Sequence, residues 1–155
     1  MNPNEKLSSD DETGFADASK FRSLVGRLVY LTHTRLDIAF PVGLVSRFMH
    51  RPSKQHYGAA KRILRYLAGT RDYGIWYTQS KDFILEGFTD SDWAGFPDDR
   101  KSTSRNCFSF GAGPVSWLSK KQSTVALSSA EAEYVAAATA ACVWLRRILE
   151  DLNQV

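Results

Sequence analysis

The chain predicts an α+β fold: a small three-helix bundle, then a sheet of about three to four strands with one long helix packed on it. Three observations carry that reading. Apolar residues recur at helical spacing through the segment 19–70. Between Tyr73 and Gln122 the period shortens to that of strands, with turn residues between the runs. From Leu127 the helical period returns, opened by a capping signature and filled with alanine. The change of period places a boundary near Thr70.

Residues 1–18 carry Glu5, Asp10, Asp11, Glu12 and Asp17 against Lys6, with few apolar side chains, and read as a disordered acidic leader. Ser19 is then the expected N-cap of a helix whose stripe is Phe21, Leu24, Val25, Leu28 and Leu31. A second helix, over Asp37 to Met49, is apolar on most sides and so is buried, with Pro41 near its start. Pro52 and Ser53 open a third over 54–67. Its apolar stripe is Tyr57, Ala60, Leu64 and Leu67, Lys54, Lys61 and Arg65 share another face, and Gly69 ends it. Three helices on short turns form an antiparallel bundle over 19–70.

The remaining residues, 71–155, form the second region. "YGIWYTQ" (73–79) and "FILEGFTD" (83–90) read as strands separated by Ser80, Lys81 and Asp82. "NCFSFGAG" (106–113) and "PVSWLSKKQ" (114–122) read as a hairpin turning at Gly113-Pro114. The last helix starts at Ser128, with Glu131 completing a capping box. Eight alanines between Ala126 and Ala141 let it lie close against a sheet, and Arg146 and Arg147 suit its C-terminal half.

The 155 residues are 43% hydrophobic and 12% aromatic, enough for a packed core. The net charge of +3 says little, but its distribution says more. From Ile38 to Arg71 there is no acid, while Arg47, Arg51, Lys54, Lys61, Arg62, Arg65 and Arg71 are all basic. Such a block favours a polyanion, with Lys54, Lys61, Arg62 and Arg65 as the nucleic-acid-binding candidates, and a solvated basic face is the equally open alternative. Cys107 and Cys142 give neither a disulfide framework nor a zinc spacing, and fit small core residues in a reducing compartment. No run reaches the roughly 18 apolar residues of a membrane span, and the acidic start is unlike a signal peptide. The expectation is a soluble intracellular chain, cytoplasmic or nuclear, not secreted.

The stretch "GFTDSDWAGFPDDRKSTS" places Asp90, Asp92, Asp98 and Asp99 within ten residues. Asp90 ends a strand, and Glu133 lies one turn into the last helix. Carboxylates so placed can converge on a hard divalent cation such as Mg²⁺, although two-metal phosphoryl chemistry needs more than two of them. Spacing alone leaves open both a metal site and a solvated turn with a dipole-compensating glutamate. Trp93, Trp117 and Tyr134 read as core residues.

Four segments carry a resemblance: "SLVGRLVYLTHTRLDIAF", "LVSRFMHRPSKQHYGAAKRILRYLAGTRDYGIWY", "GFTDSDWAGFPDDRKSTS" and "VSWLSKKQSTVALSSAEAEYVAAATAACVWLRRIL". In that order, from about Phe21 to Leu152, the chain resembles the C-terminal part of the polyprotein of Ty1/copia-type LTR retrotransposons, a kind abundant in plant genomes. The resemblance implies the thumb-side end of a reverse transcriptase followed by the start of a ribonuclease H domain. That domain hydrolyses the RNA strand of an RNA–DNA hybrid with two Mg²⁺ (or Mn²⁺) ions.

By resemblance Asp90 and Glu133 are the catalytic and metal-binding carboxylates, with Asp92 as an assisting candidate. Glu131 is assigned to the capping box, and Asp98 and Asp99 to a turn in which they pair with Arg100 and Lys101. Two departures stand out. Ser102-Thr103-Ser104-Arg105-Asn106 replaces a Ser-Thr-Ser-Gly-Tyr pattern, and Leu36 replaces a common proline. The resemblance also implies a further strand beyond Leu152 carrying the third aspartate, so the expectation is an incomplete ribonuclease H-like domain, inactive as this isolated chain. Partners follow in two classes. One is an RNA–DNA hybrid or other nucleic acid. The other is a protein partner, or a second copy, pairing with an exposed strand edge, as in a host-retained interaction module.

Overall fold

Residues 7–79, 84–140 and 142–152 are described by the computed structural model, and they form helices and a three-stranded antiparallel sheet, the α+β class that the sequence predicts. They fall into two units, the helical Met1–Gly74 and the sheet-bearing Ile75–Val155.

In the helical unit α1 spans Ala18–Leu31 and buries Phe21, Val25 and Leu28. Its cap is Asp17 rather than Ser19, because the Asp17 carboxylate accepts from the amides of both Ser19 and Lys20 (2.9 and 3.1 Å). The second predicted helix is shorter at both ends. A 3₁₀ turn, Leu36–Ile38, precedes α2 (Ala39–Ser46), and tight i to i+3 bonds from Arg47 and Phe48 follow it. Pro41 falls among the first amides of α2, which have no intrahelical partner to lose. Ile38, Val42, Val45 and Phe48 are buried.

Helix α3 spans Lys54–Gly69 and buries His56, Ala59, Ala60 and Ile63. That stripe has helical spacing but is rotated from the predicted one: Ala60 is common to both, while Leu64 is 41% exposed. His56, a polar residue by type, is the core residue that shifts it.

Residues 7–17 are packed rather than disordered, and residues 1–6 of the expected leader lie outside the described residues. Leu7 is buried. Ala16 donates its amide to the Pro52 carbonyl and Lys54 to that of Gly14, both at 2.9 Å, and Phe15 forms a β-bridge with Ser53. The Arg51 guanidinium lies over the Phe15 ring, 4.4 Å from its centroid. The reason is hydrogen-bond satisfaction: the turn opening α3 presents buried polar groups, and this segment supplies partners for them.

In the other unit, β1 (Leu85–Ser91), β2 (Thr103–Phe110) and β3 (Gly113–Lys121) pair antiparallel in that order. The predicted strand over 73–79 joins no ladder. Tyr77 instead donates its hydroxyl to the Pro114 carbonyl at 2.6 Å, with its ring against Gly113, which holds the segment by side chains instead of backbone. The predicted turn Ser80–Asp82 and the start of the next strand at Phe83 lie outside the described residues. The β2–β3 hairpin turns at Gly111, whose φ of +58° suits glycine, two residues before the expected corner.

Alternation sorts β1 into two faces. Leu85, Gly87, Thr89 and Ser91 share one face with Ser104, Asn106 and Phe108, while Glu86, Phe88 and Asp90 share the other with Ser109, Cys107 and Arg105. Gly87 is required where it stands, since a Cβ there would lie 2.5 Å from the buried Phe108 ring.

Helix α4 (Ser129–Ala138) packs on β1 and β2 and buries Ala132 and Ala136. Ser128 caps it as predicted, accepting from the Glu131 amide at 3.1 Å, but Glu131 returns its bond to the Leu127 amide at 2.7 Å. The predicted single long helix is two, α4 and α5 (Cys142–Asp151). Thr139 turns its hydroxyl back to the carbonyls of Val135 and Ala136, and the Ala140 amide tightens onto Ala137, which ends α4. No helix among the described residues is long and apolar enough to cross a membrane.

Candidate functional site

The carboxylates of the second unit are positioned by the excursion between β1 and β2. This loop, 92–102, is closed at its base by Asp92 and Thr103. The Asp92 amide donates to the Thr103 carbonyl (3.3 Å), and the Thr103 amide donates to Asp92 Oδ1 (2.7 Å). Ala94 and Arg100 take positive φ, +50° and +56°, to make the bends. Phe96 is buried beneath, and the Lys121 ammonium lies over its ring at 4.3 Å. Asp99 does not pair with Arg100 and Lys101 as expected. Its ion pair is with Lys121 (2.8 Å), and it also accepts the Lys101 amide (3.3 Å). Burial alone would raise the Asp99 pKa, but the bonds from Lys121 and Lys101 outweigh it and leave it lowered.

Asp90 is the last residue but one of β1, with its side chain exposed, and directly across the ladder stands Arg105. The guanidinium reaches both candidates, Nη1 at 2.7 Å from Asp90 Oδ2 and Nη2 at 3.5 Å from Asp92 Oδ2. Glu133 lies exposed on α4. Thus Asp90 and Asp92 are brought together, but by an arginine. No group of three or more His, Cys, Asp or Glu side chains is gathered among the described residues. A Mg²⁺ ion takes six oxygens in near-octahedral array, and two ions need more carboxylates than this. The donor set among the described residues does not fit the two-ion centre that the resemblance implies.

Two residues that position this corner escape a reading for acids. Arg105 could be found by counting outward from the loop, because Ser91 and Ser104 pair and put Arg105 opposite Asp90. Gln122 has no such signal. Its side-chain amide donates to Ser104 Oγ (2.9 Å), Ser91 Oγ (3.3 Å) and the Ala132 carbonyl (2.8 Å), which fastens α4 to β1 and β2 one residue before Glu133. Trp93 and Tyr134, expected in the core, are 55% and 75% exposed. The Trp93 indole donates to the Ala126 carbonyl (3.2 Å) from the surface.

The basic candidates lie in the helical unit. At 100° per residue, Lys61 and Arg65 return to within about 20° of the direction of Lys54. The buried residues His56, Ala59, Ala60 and Ile63 point the opposite way. Lys54, Lys61 and Arg65 are exposed, and no ion pair among the described residues engages them. The Lys61 ammonium rests 4.9 Å from the centroid of the Tyr57 ring. Arg62 is half-buried and lies off this stripe.

No family model matches the chain, and no solved structure matches it. Curated relatives do. The Retrovirus-related Pol polyprotein from transposon RE1 of Arabidopsis thaliana is 44% identical over 99% of this chain, which spans 11% of that polyprotein. The Retrovirus-related Pol polyprotein from transposon TNT 1-94 of Nicotiana tabacum is 46% identical over 92% of the chain and 11% of its own length. Secreted RxLR effector protein 161 of Plasmopara viticola is 48% identical over 81% of the chain and 90% of that protein. Across nearly its whole length, this chain belongs to the Pol polyprotein family of Ty1/copia-type retrotransposons.

Proposed function

We propose that this stretch of a reverse transcriptase–ribonuclease H polyprotein binds a nucleic-acid backbone on the outer face of α3, and that by itself it does not hydrolyse the RNA strand of an RNA–DNA hybrid. The observation that carries the reading is the stripe of Lys54, Lys61 and Arg65 set opposite the buried side of the helix. Its eleven-residue span covers about 16 Å at the helical rise, about five steps of a duplex. Three point charges on one line suit phosphates, and carry no code for base sequence.

The test is binding of a labelled RNA–DNA hybrid across a salt series. Three phosphate contacts give a slope of log K against log salt of about −2.7. Changing Lys54, Lys61 and Arg65 together to glutamine is expected to remove most of that slope. Salt-independent binding, or full binding by the triple variant, overturns the reading. In the same samples with Mg²⁺ or Mn²⁺ no RNA cleavage is expected; cleavage abolished by Asp90→Asn overturns that half of the proposal.

A second reading rests on β1, an edge of the sheet among the described residues, with Phe88 64% exposed on it. Such an edge can add a strand from a second copy. Antiparallel self-pairing centred on Phe88 sets Glu86 against Asp90 of the other copy, a like-charge opposition. Glu86→Lys is therefore expected to strengthen dimerisation in sedimentation velocity, and Phe88→Lys to abolish it. A Glu86→Lys protein no more associated than the parent removes this reading.

A further inference from the structure

We infer that Arg105 is a built-in countercation for Asp90 and Asp92, so that this corner of the sheet is a closed ion-pair cluster that excludes a divalent metal. The inference is independent of the nucleic-acid reading, which rests on the other unit.

The geometry is that of one guanidinium serving two carboxylates. Nη1 binds Asp90 Oδ2 at 2.7 Å and Nη2 faces Asp92 Oδ2 at 3.5 Å. The position of Arg105 follows from the ladder, where it is the register partner of Asp90. Asp92 has little freedom to turn elsewhere. Its Oδ1 holds the Thr103 amide at 2.7 Å, and its carboxylate lies so close to Gly95 that a Cβ there would sit 2.8 Å from it. The guanidinium thus engages Oδ2 of both carboxylates, and what is left for an incoming ion is Asp90 Oδ1 on a largely exposed side chain.

Charge completes the argument. Two carboxylates and one guanidinium leave a single negative charge, too little to hold a divalent ion against its hydration shell. An incoming ion must either sit beside a fixed cation or push it away. The Arg105 side chain is 37% exposed, so displacement is open to it, and the barrier to metal is competition rather than burial. Arg105 occupies the place where a metal would neutralise the pair.

The experiment is a Mn²⁺ titration of the full chain, with free Mn²⁺ read by electron paramagnetic resonance and site occupancy by broadening of backbone amide resonances. The parent chain is expected to show no selective broadening at Asp90 and Asp92. Arg105→Gln keeps a polar side chain on β2 and removes the charge. It is expected to bind Mn²⁺ about tenfold more tightly, from the lost competitor and the lost repulsion. Adding Asp90→Asn is expected to return binding to the parent level. Arg105→Lys, which keeps a cation, is expected to stay near the parent, an outcome that a merely structural role for Arg105 does not give. Selective broadening at Asp90 and Asp92 in the parent, or equal affinity in parent and Arg105→Gln, overturns the inference.

Discussion

Replacing His56 with alanine is expected to remove about 3 to 5 kcal/mol from the stability of the helical unit. The imidazole is wholly buried and stacks on Phe48 with ring centroids 3.7 Å apart and planes 14° from parallel. Its two nitrogens have different work. Nδ1 accepts the Ser53 amide at 2.9 Å, so it carries no proton, and Nε2 then donates to the Ser8 carbonyl at 3.0 Å. Ser53 in turn accepts the His56 amide and donates its hydroxyl to Asp11. Alanine would leave a cavity beside Phe48 and orphan a buried amide at the start of α3. Because the Ser8 contact is also lost, residues 7–17 are expected to become sensitive to protease. Far-UV circular dichroism in urea follows the helices, most of whose residues lie in the helical unit. The tryptophans at 76, 93, 117 and 144 all lie in the other unit and serve as an internal control. A loss below about 1 kcal/mol, with protease resistance unchanged, would show that the stack and the two bonds contribute little.

His56 also shows where the sequence stops being readable. Periodicity located α1, α3 and the edges of the sheet because apolar spacing is a local property. In α3, however, the core stripe includes a histidine, and counting only apolar types rotates the stripe to Tyr57 and Leu64. What makes His56 a core residue is a hydrogen-bond set supplied by residues 8 and 53, one of them 48 positions away. The same limit hides the packed leader, whose Leu7 and Asp11 act only once the turn at Ser53 exists. The carboxylate corner was half legible. Residue type and place single out Asp90, Asp92 and Glu133 as carboxylates, whereas Arg105 becomes the partner of Asp90 and Asp92 only through the β1–β2 register. The break after α4 was hidden because Thr139 and its alanine neighbours keep a helical period while the Thr139 hydroxyl takes up backbone carbonyls. The stretch 73–79 has every mark of a strand, yet local propensity does not supply a neighbouring ladder.

The second large effect is expected at Arg35 and Asp37, and it is an acid sensitivity. Arg35 is almost fully buried and donates through Nε and Nη2 to the two oxygens of Asp37 at 3.0 and 2.8 Å. Its remaining donors reach the carbonyl and hydroxyl of Thr70, at 3.0 and 2.8 Å, and so satisfy the C-terminal end of α3. Tyr66 donates its hydroxyl to Asp37 Oδ2 at 2.8 Å. The Arg35 bonds are the main cause that holds the Asp37 carboxyl below its ordinary pKa; burial opposes them, and the Tyr66 hydroxyl and the positive charge of Arg35 add to them. A carboxylate with a depressed folded-state pKa contributes stability that is fully present above its unfolded value, about 3.9. That contribution is lost as the pH falls through the depressed value, because the unfolded chain takes the proton first. Asp37→Asn keeps the shape and removes the charge, leaving a buried guanidinium with one fewer counter-charge. It is expected to cost about 2 to 3 kcal/mol at neutral pH and to flatten the acid limb of the stability curve. Arg35→Leu is expected to cost at least as much, since it also removes both bonds to Thr70 and leaves its carbonyl with the Tyr73 amide alone (3.2 Å). The double variant is expected to cost less than the sum, because each single change already breaks the shared bonds. Urea midpoints between pH 2 and 7 for the four proteins decide the matter. Purely additive losses, or an acid limb as steep in Asp37→Asn as in the parent, would place the acid sensitivity elsewhere. Asp11 is then the next group to test, since burial raises its pKa but the bonds from Ser53 and Thr13 bring it below the ordinary value.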